Sequence, residues 1–182
     1  MKKGFIIGLL LIPICFGQNK AYDFLDQIGL ITATLPHVKR VGVMIGPNDY
    51  GDLIQHMGTA QTQYGVLIIP IKLNNIKGNG PQYMQHIKKL VKSAASKHHI
   101  DAIIFSEGSD SITKNSVSIR FCASALAKSK IPVFSPNKKA LKLGCLGRFK
   151  IEGDQWVVSI SSKTAAKYKL LIPEDDPQIN FE

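Results

Sequence analysis

Three loops gather the residues of this chain whose types and spacing could do chemistry. Gly46-Pro-Asn-Asp-Tyr-Gly51, Ser106-Glu-Gly-Ser-Asp-Ser111 and Ser135-Pro-Asn137 each follow a short apolar run and precede a stretch with helical periodicity. Side chains of Asn, Asp and Ser hydrogen-bond readily there, and the first turn of the following helix adds free N–H groups and a positive dipole end. That combination holds a carboxylate or phosphate group without a dedicated cation; the same residue types also serve as plain turn and cap chemistry. Glu107 and Asp110 form a carboxylate pair, but no His or nucleophile accompanies them, so acid–base catalysis lacks its second party. The chain contains no Gly-x-Gly-x-x-Gly, Gly-Lys-Ser/Thr, His-Glu-x-x-His or Cys-x-x-Cys, which argues against nucleotide chemistry, a zinc site and a redox dithiol. His98-His99 close a lysine-rich helix, and Ser109 lacks the strand-turn-helix setting of a hydrolase nucleophile. The pattern is that of a binding site with no catalytic residue, no metal and no cofactor.

The elements that must position these loops can be read next. Residues 40–45, 65–70, 100–105 and 130–134 are short apolar runs spaced by roughly the 30 residues of a βαβ unit. Between them Leu53, Met57, Ala60 and Tyr64 recur at helical spacing after the capping residues Asn48 and Asp49. A second helix opens at Asn79-Gly80-Pro81 and carries the stripe Tyr83, Ile87, Leu90, Val91, Ala94 and Ala95. A third, from about residue 113 to 129, places Val117, Phe121, Cys122 and Ala125 on one side, and Asn137 caps a short helix ended by Gly144. The expected class is α/β, a three-layer parallel sheet with helices on both faces, in which ligands sit outside the carboxyl ends of the strands. After Gly144 apolar and polar residues alternate through 145–151 and 156–160 around Glu152-Gly153-Asp154, which predicts a C-terminal β-hairpin. Ser161 or Ser162 then caps a helix over 163–168, and residues 174–182 read as an acidic surface tail.

Met1-Lys2-Lys3 followed by apolar residues 4–16 has the form of a secretory signal, shorter than the about 20 apolar residues that span a bilayer. Small side chains at Cys15 and Gly17 place the cut after Gly17, so 1–17 is expected to be removed and the chain to be exported to the periplasm or beyond. Residues 18–36 form a mildly apolar leader, read as a short helix packed on a single domain over 37–173. The formal charge is +10; without Lys2 and Lys3, 21 basic against 13 acidic residues leave +8. Lys88, Lys89, Lys92 and Lys97 lie along one helix with few aromatic residues between them, a solvated face and not a nucleic-acid surface. A basic surface still favours anionic membranes, cell-wall polymers or an acidic partner. Cys122 and Cys145 remain after export; an oxidising compartment permits a disulfide, and two separately buried thiols are the alternative.

His37-Val-Lys-Arg-Val-Gly-Val-Met-Ile-Gly-Pro-Asn48 resembles the strand and loop that open the second lobe of ABC-transporter substrate-binding proteins of the TrpX-like type. Ile100-Asp-Ala-Ile-Ile-Phe-Ser-Glu-Gly-Ser-Asp110 is similar to that family's central strand and ligand loop, and Lys130-Ile-Pro-Val-Phe-Ser-Pro-Asn137 to its "IPVF" strand. Ala140–Cys145 and Val158–Pro173 resemble its later segments. The resemblance implies one lobe of a type I periplasmic-binding-protein fold, from a family whose two lobes close on a small solute by a hinge and deliver it to a permease. The chain departs from the family in three ways: residues 18–36 are too few for a first lobe, the turn at 152–154 replaces a long helix, and Asn137 stands where the family carries an acid.

On this reading Asn48 and Asp49 hold a ligand acid group, Ser106, Ser109 and Asp110 its polar centre, and Asn137 an amine or hydroxyl. The expected function is binding of a small solute, such as an amino acid, for an ABC transporter, without enzymatic activity. The alternative is an envelope accessory or sensory protein that binds a protein partner and keeps a vestigial ligand site. One lobe covers a ligand on one side only, so tight capture calls for a homodimer or a second protein.

Overall fold

The structure, a computed structural model, describes residues 24–46, 50–73, 81–105 and 115–182. The segment read as a signal, 1–17, lies outside them. Seven strands form one sheet: β1 (Arg40–Ile45), β2 (Leu67–Lys72), β3 (Ala102–Phe105), β4 (Val133–Ser135), β5 (Gly147–Glu152), β6 (Gln155–Ile160) and β7 (Ile179–Phe181). Their order is β2-β1-β3-β4-β5-β6-β7. The first five are parallel, β6 runs antiparallel to β5, and β7 is parallel to β6. The helices are α1 (Phe24–Thr34), α2 (Tyr50–Tyr64), α3 (Pro81–His98), α4 (Ser116–Leu126) and α5 (Ser162–Tyr168).

Alternation along the strands divides the core into two layers. Val41, Val43, Ile45, Ile68 and Ile104 face α1 and α2, where Phe24, Ile28, Ile31, Leu53 and Ala60 meet them. Met44, Ile71, Ile103 and Phe105 face α3 and α4, against Tyr83, Ile87, Val91, Ile119, Cys122 and Leu126. The expected three-layer arrangement is therefore present, with helices on both faces of a mostly parallel sheet. Cys122 and Cys145 are both free and buried in the second layer.

Several elements differ in detail from the sequence expectation. Gly65 does not open β2; with φ of 66° it ends α2, its N–H donating to the Gln61 carbonyl, and the strand starts two residues later. Pro70 then sits inside β2, which tolerates it because β2 is an edge strand. Helix α4 begins at Ser116, with the Asn115 side chain accepting from the Val117 N–H. That register leaves Val117 45% exposed and turns Ser118, Ile119, Cys122 and Ala125 inward instead. The Ser118 hydroxyl meets the Tyr83 hydroxyl at 2.6 Å between α3 and α4. Of the two cap candidates for α5, Ser161 serves: its Oγ accepts from the Thr164 N–H at 3.2 Å.

Two segments set apart in the sequence join the fold. Helix α1, within 18–36, supplies Phe24, Ile28, Leu30 and Ile31 to the core. Residues 179–181, within the stretch read as an acidic surface tail, add β7 to β6, with Ile179 buried; an acidic run hid the apolar residue that anchors it.

The hairpin of β5 and β6 is antiparallel as expected, joined by Gly153 and Asp154. Gly153 has φ of 59°, the sign that a type II′ turn needs at its first loop position. Gly147 answers a different constraint: a Cβ there would stand 2.4 Å from the Phe134 ring, which stacks on Phe149 with centroids 5.7 Å apart.

Candidate functional site

The order β2-β1-β3 contains the reversal that defines a ligand crevice in open α/β sheets. From β1 the chain crosses through α2 on one face to β2; from β2 it crosses back through α3 on the other face to β3. The helices that follow β1 and β3, α2 and α4, lie on opposite faces of the sheet. Met44 and Phe105 are register partners, so β1 and β3 end side by side.

Five of the six residues proposed for ligand contact, Asn48, Asp49, Ser106, Ser109 and Asp110, lie outside the described residues. The sixth, Asn137, follows β4 and is partly buried. Its Oδ1 accepts from the Lys139 N–H at 2.9 Å, its carbonyl accepts from the Ala140 N–H at 2.8 Å, and its own N–H donates to the Ser135 Oγ at 3.2 Å. The Asn137 side chain thus shapes the turn after β4 with its oxygen.

The described rim of this end adds residues that the sequence did not single out. Tyr50 opens α2 immediately after the first loop, and the Lys72 ammonium, from the end of β2, stands 3.6 Å from its ring centroid. Further along, Pro136, Lys138, Phe149, Lys150, Ile151 and Trp156 surround a hollow of about 450 Å3 beyond the end of β4. A signal for Lys138 was present, since it follows Asn137 directly. Trp156 and Ile151 read only as hairpin residues, because nothing local says where β4 stops.

Burial pushes the Cys145 thiol up to about 12, and burial together with Cys145 raises Cys122, so both stay neutral and unreactive at ordinary pH. Among the described residues no group of three His, Cys, Asp or Glu side chains could hold a metal ion, and no helix is long and apolar enough to cross a membrane. At the opposite end of the sheet a larger hollow of about 910 Å3 is lined by apolar residues, among them Pro36, Leu170, Leu171 and Phe181.

Fold and crevice together define a class: an α/β lobe like those of periplasmic binding proteins. Solved structures carry the same fold. A conserved domain protein from Vibrio cholerae O1 biovar El Tor superposes with a TM-score of 0.65 at 15% identity, covering 84% of this chain and 57% of that one. An ABC domain in complex with L-Trp from Streptococcus pneumonia gives 0.64 at 17%, covering 85% and 61%. A substrate-binding protein with adhesive properties from Clostridium difficile, in its ligand-free, open structure, gives 0.62 at 12%, covering 85% and 58%. This chain thus spans about three fifths of the length of the structures it matches. No protein-family model and no curated protein matches it.

Proposed function

We propose that this chain is a small-solute-binding protein that recognises its ligand at the carboxyl ends of β1, β3 and β4. The observation that carries the reading is that β1 and β3 end side by side at the point where the strand order reverses. In the sequence Asn48 and Asp49 follow β1, Ser106, Ser109 and Asp110 follow β3, and Asn137 follows β4. A solute with an acid group and a second polar group, such as an amino acid, matches those residue types. A similar fold binds L-Trp in the streptococcal protein. The chain acts without catalysis, is exported by residues 1–17, and passes its solute to an ABC permease or an envelope partner.

A thermal-shift screen of residues 18–182 against amino acids, nucleosides, sugars and small anions tests this. A ligand at 100 times its Kd adds about 2.7 kcal/mol to stability and a plain rise in Tm. That rise is expected to disappear in Asn48→Ala combined with Asp110→Ala; a rise that persists in the double variant would sink the site assignment.

One observation favours a second reading. The described residues form one lobe with one sheet, and such a lobe meets a ligand from one side. A homodimer or a second envelope protein then completes the site, or binds in place of a solute. Folded protein with no ligand response and salt-sensitive association with a purified partner would favour it.

A further inference from the structure

Beside the proposed solute site, strand β5 outruns its neighbour. β4 pairs with it only at Phe134 with Gly147 and Ser135 with Arg148, after which the chain turns away through Pro136. On its other edge β5 keeps its partners in β6 up to Glu152. Among the described residues, 149–152 therefore have no strand partner on the edge beside the 450 Å3 hollow, and no backbone hydrogen bond crosses to it from 136–138. In a strand, alternate residues aim both N–H and C=O toward the same side, so the edge is a short template for another strand. Its apolar lining is Ile151, which is 44% exposed, with Phe149 and Trp156 behind it. Its rim is cationic. Glu182 engages Arg148 and Lys150, whereas no carboxylate pairs with the exposed Lys138 among the described residues.

We propose that this notch accepts an extended peptide bearing a carboxylate, which adds a short parallel or antiparallel strand to β5 where β4 stops. Backbone hydrogen bonds to residues 149–152 hold the chain, Ile151 and Trp156 pack one of its side chains, and Lys138 takes the acid group. The chain's net charge of +10 draws an acidic segment toward this rim. A free amino acid is too short to bridge the edge and the ammonium, since each strand residue advances about 3.3 Å. The inference goes beyond the solute reading and does not depend on it.

Trp156 lines the notch and is the chain's sole tryptophan, so its emission reports occupancy directly. The probe is the tetrapeptide Val-Thr-Val-Asp, acetylated and C-terminally amidated so that Asp carries its one carboxylate, titrated into the full chain at low and high salt, with the Lys counterpart blocked in the same way. The expected result is a saturable emission change that weakens with salt. The analogue N-methylated at alternate residues should bind about tenfold or more weakly, because it lacks the donors that a strand partner needs. Lys138→Glu, an exposed position that leaves the core untouched, should lose the acidic peptide and gain a Val-Thr-Val-Lys counterpart. No saturable change up to millimolar peptide, equal binding of the N-methylated analogue, or the same saturation with free aspartate would each overturn the proposal. Peptide binding should persist in Asn48→Ala combined with Asp110→Ala, which separates failure here from failure of the crevice reading.

Discussion

The β1–β4 half of the sheet and the β5–β7 wing solve the same burial problem differently. In the first half every connection is a crossover that lays a helix on one face or the other, so both faces are dry and β3 is four apolar residues in a row. In the wing, β5 returns to β6 through a two-residue turn; α5, in the crossover from β6 to β7, packs Ala165 on the Phe149 side, and among the described residues no helix covers the other face. Helix α1 packs on the side of Phe149, Trp156 and Val158, while the opposite side carries Arg148, Lys150, Glu152, Asn180 and Glu182. Long ion-paired side chains do there what a helix does elsewhere: Arg148 to Glu182 at 3.1 Å, Lys150 to Glu152 at 2.7 Å and Lys150 to Glu182 at 3.7 Å. Val157 and Ser159 lie buried beneath that layer. The lesson is that exchanging a crossover helix for a tight turn changes strand direction, burial pattern and side-chain chemistry together.

The contrast predicts unequal costs for one substitution. Ile104→Ala in the dry half should cost about 2–5 kcal/mol, through lost burial and the cavity left behind. Ile151→Ala in the wing, where the side chain is already 44% exposed, should cost under about 1 kcal/mol. Urea unfolding of both variants checks this, and equal losses would break the distinction between the two regions.

Next in size is the junction between wing and helix. Ser161→Ala removes the side-chain acceptor for the Thr164 N–H and should destabilise by about 1 kcal/mol, with Ser161→Asp close to wild type. A null effect in calorimetry would show that α5 is held by Ala165 and Tyr168 alone.

The smallest effect belongs to the ionic layer. The Ser159 hydroxyl first, and then Arg148 and Lys150, hold the Glu182 carboxyl below its usual 4.5. A depressed folded pKa contributes stability above the unfolded value that is lost as pH falls through the folded one. Glu182→Gln should therefore lower stability at neutral pH by less than about 1 kcal/mol, with the difference from wild type shrinking below pH 4.5 and in high salt. A deficit that stays constant down to pH 2 would mean packing, not charge, is what Glu182 supplies.

The chain's local physics wrote much of this into the sequence. Strand β1, the stripe of α3, the hairpin turn at Gly153 and the cap at Ser161 follow from periodicity, proline and glycine placement and short-range hydrogen bonding, which need no distant partner. Misreadings occurred where a residue's role was set by what lay across the fold. Gly65 is a helix end and not a strand start, Val117 is exposed because Asn115 fixes the register of α4, and Ile179 is a strand residue because β6 is there to receive it.

For the site the division is the same. Residue types and loop spacing selected Asn48, Asp49, Ser106, Ser109, Asp110 and Asn137, because capping and polar-loop chemistry is local. Tertiary structure alone decided that β1 and β3 end side by side, that Lys72 lies over Tyr50, and that β5 extends past β4 beside Lys138. Strand order and strand length mismatch arise from pairing between segments tens of residues apart, and no window of sequence contains both partners.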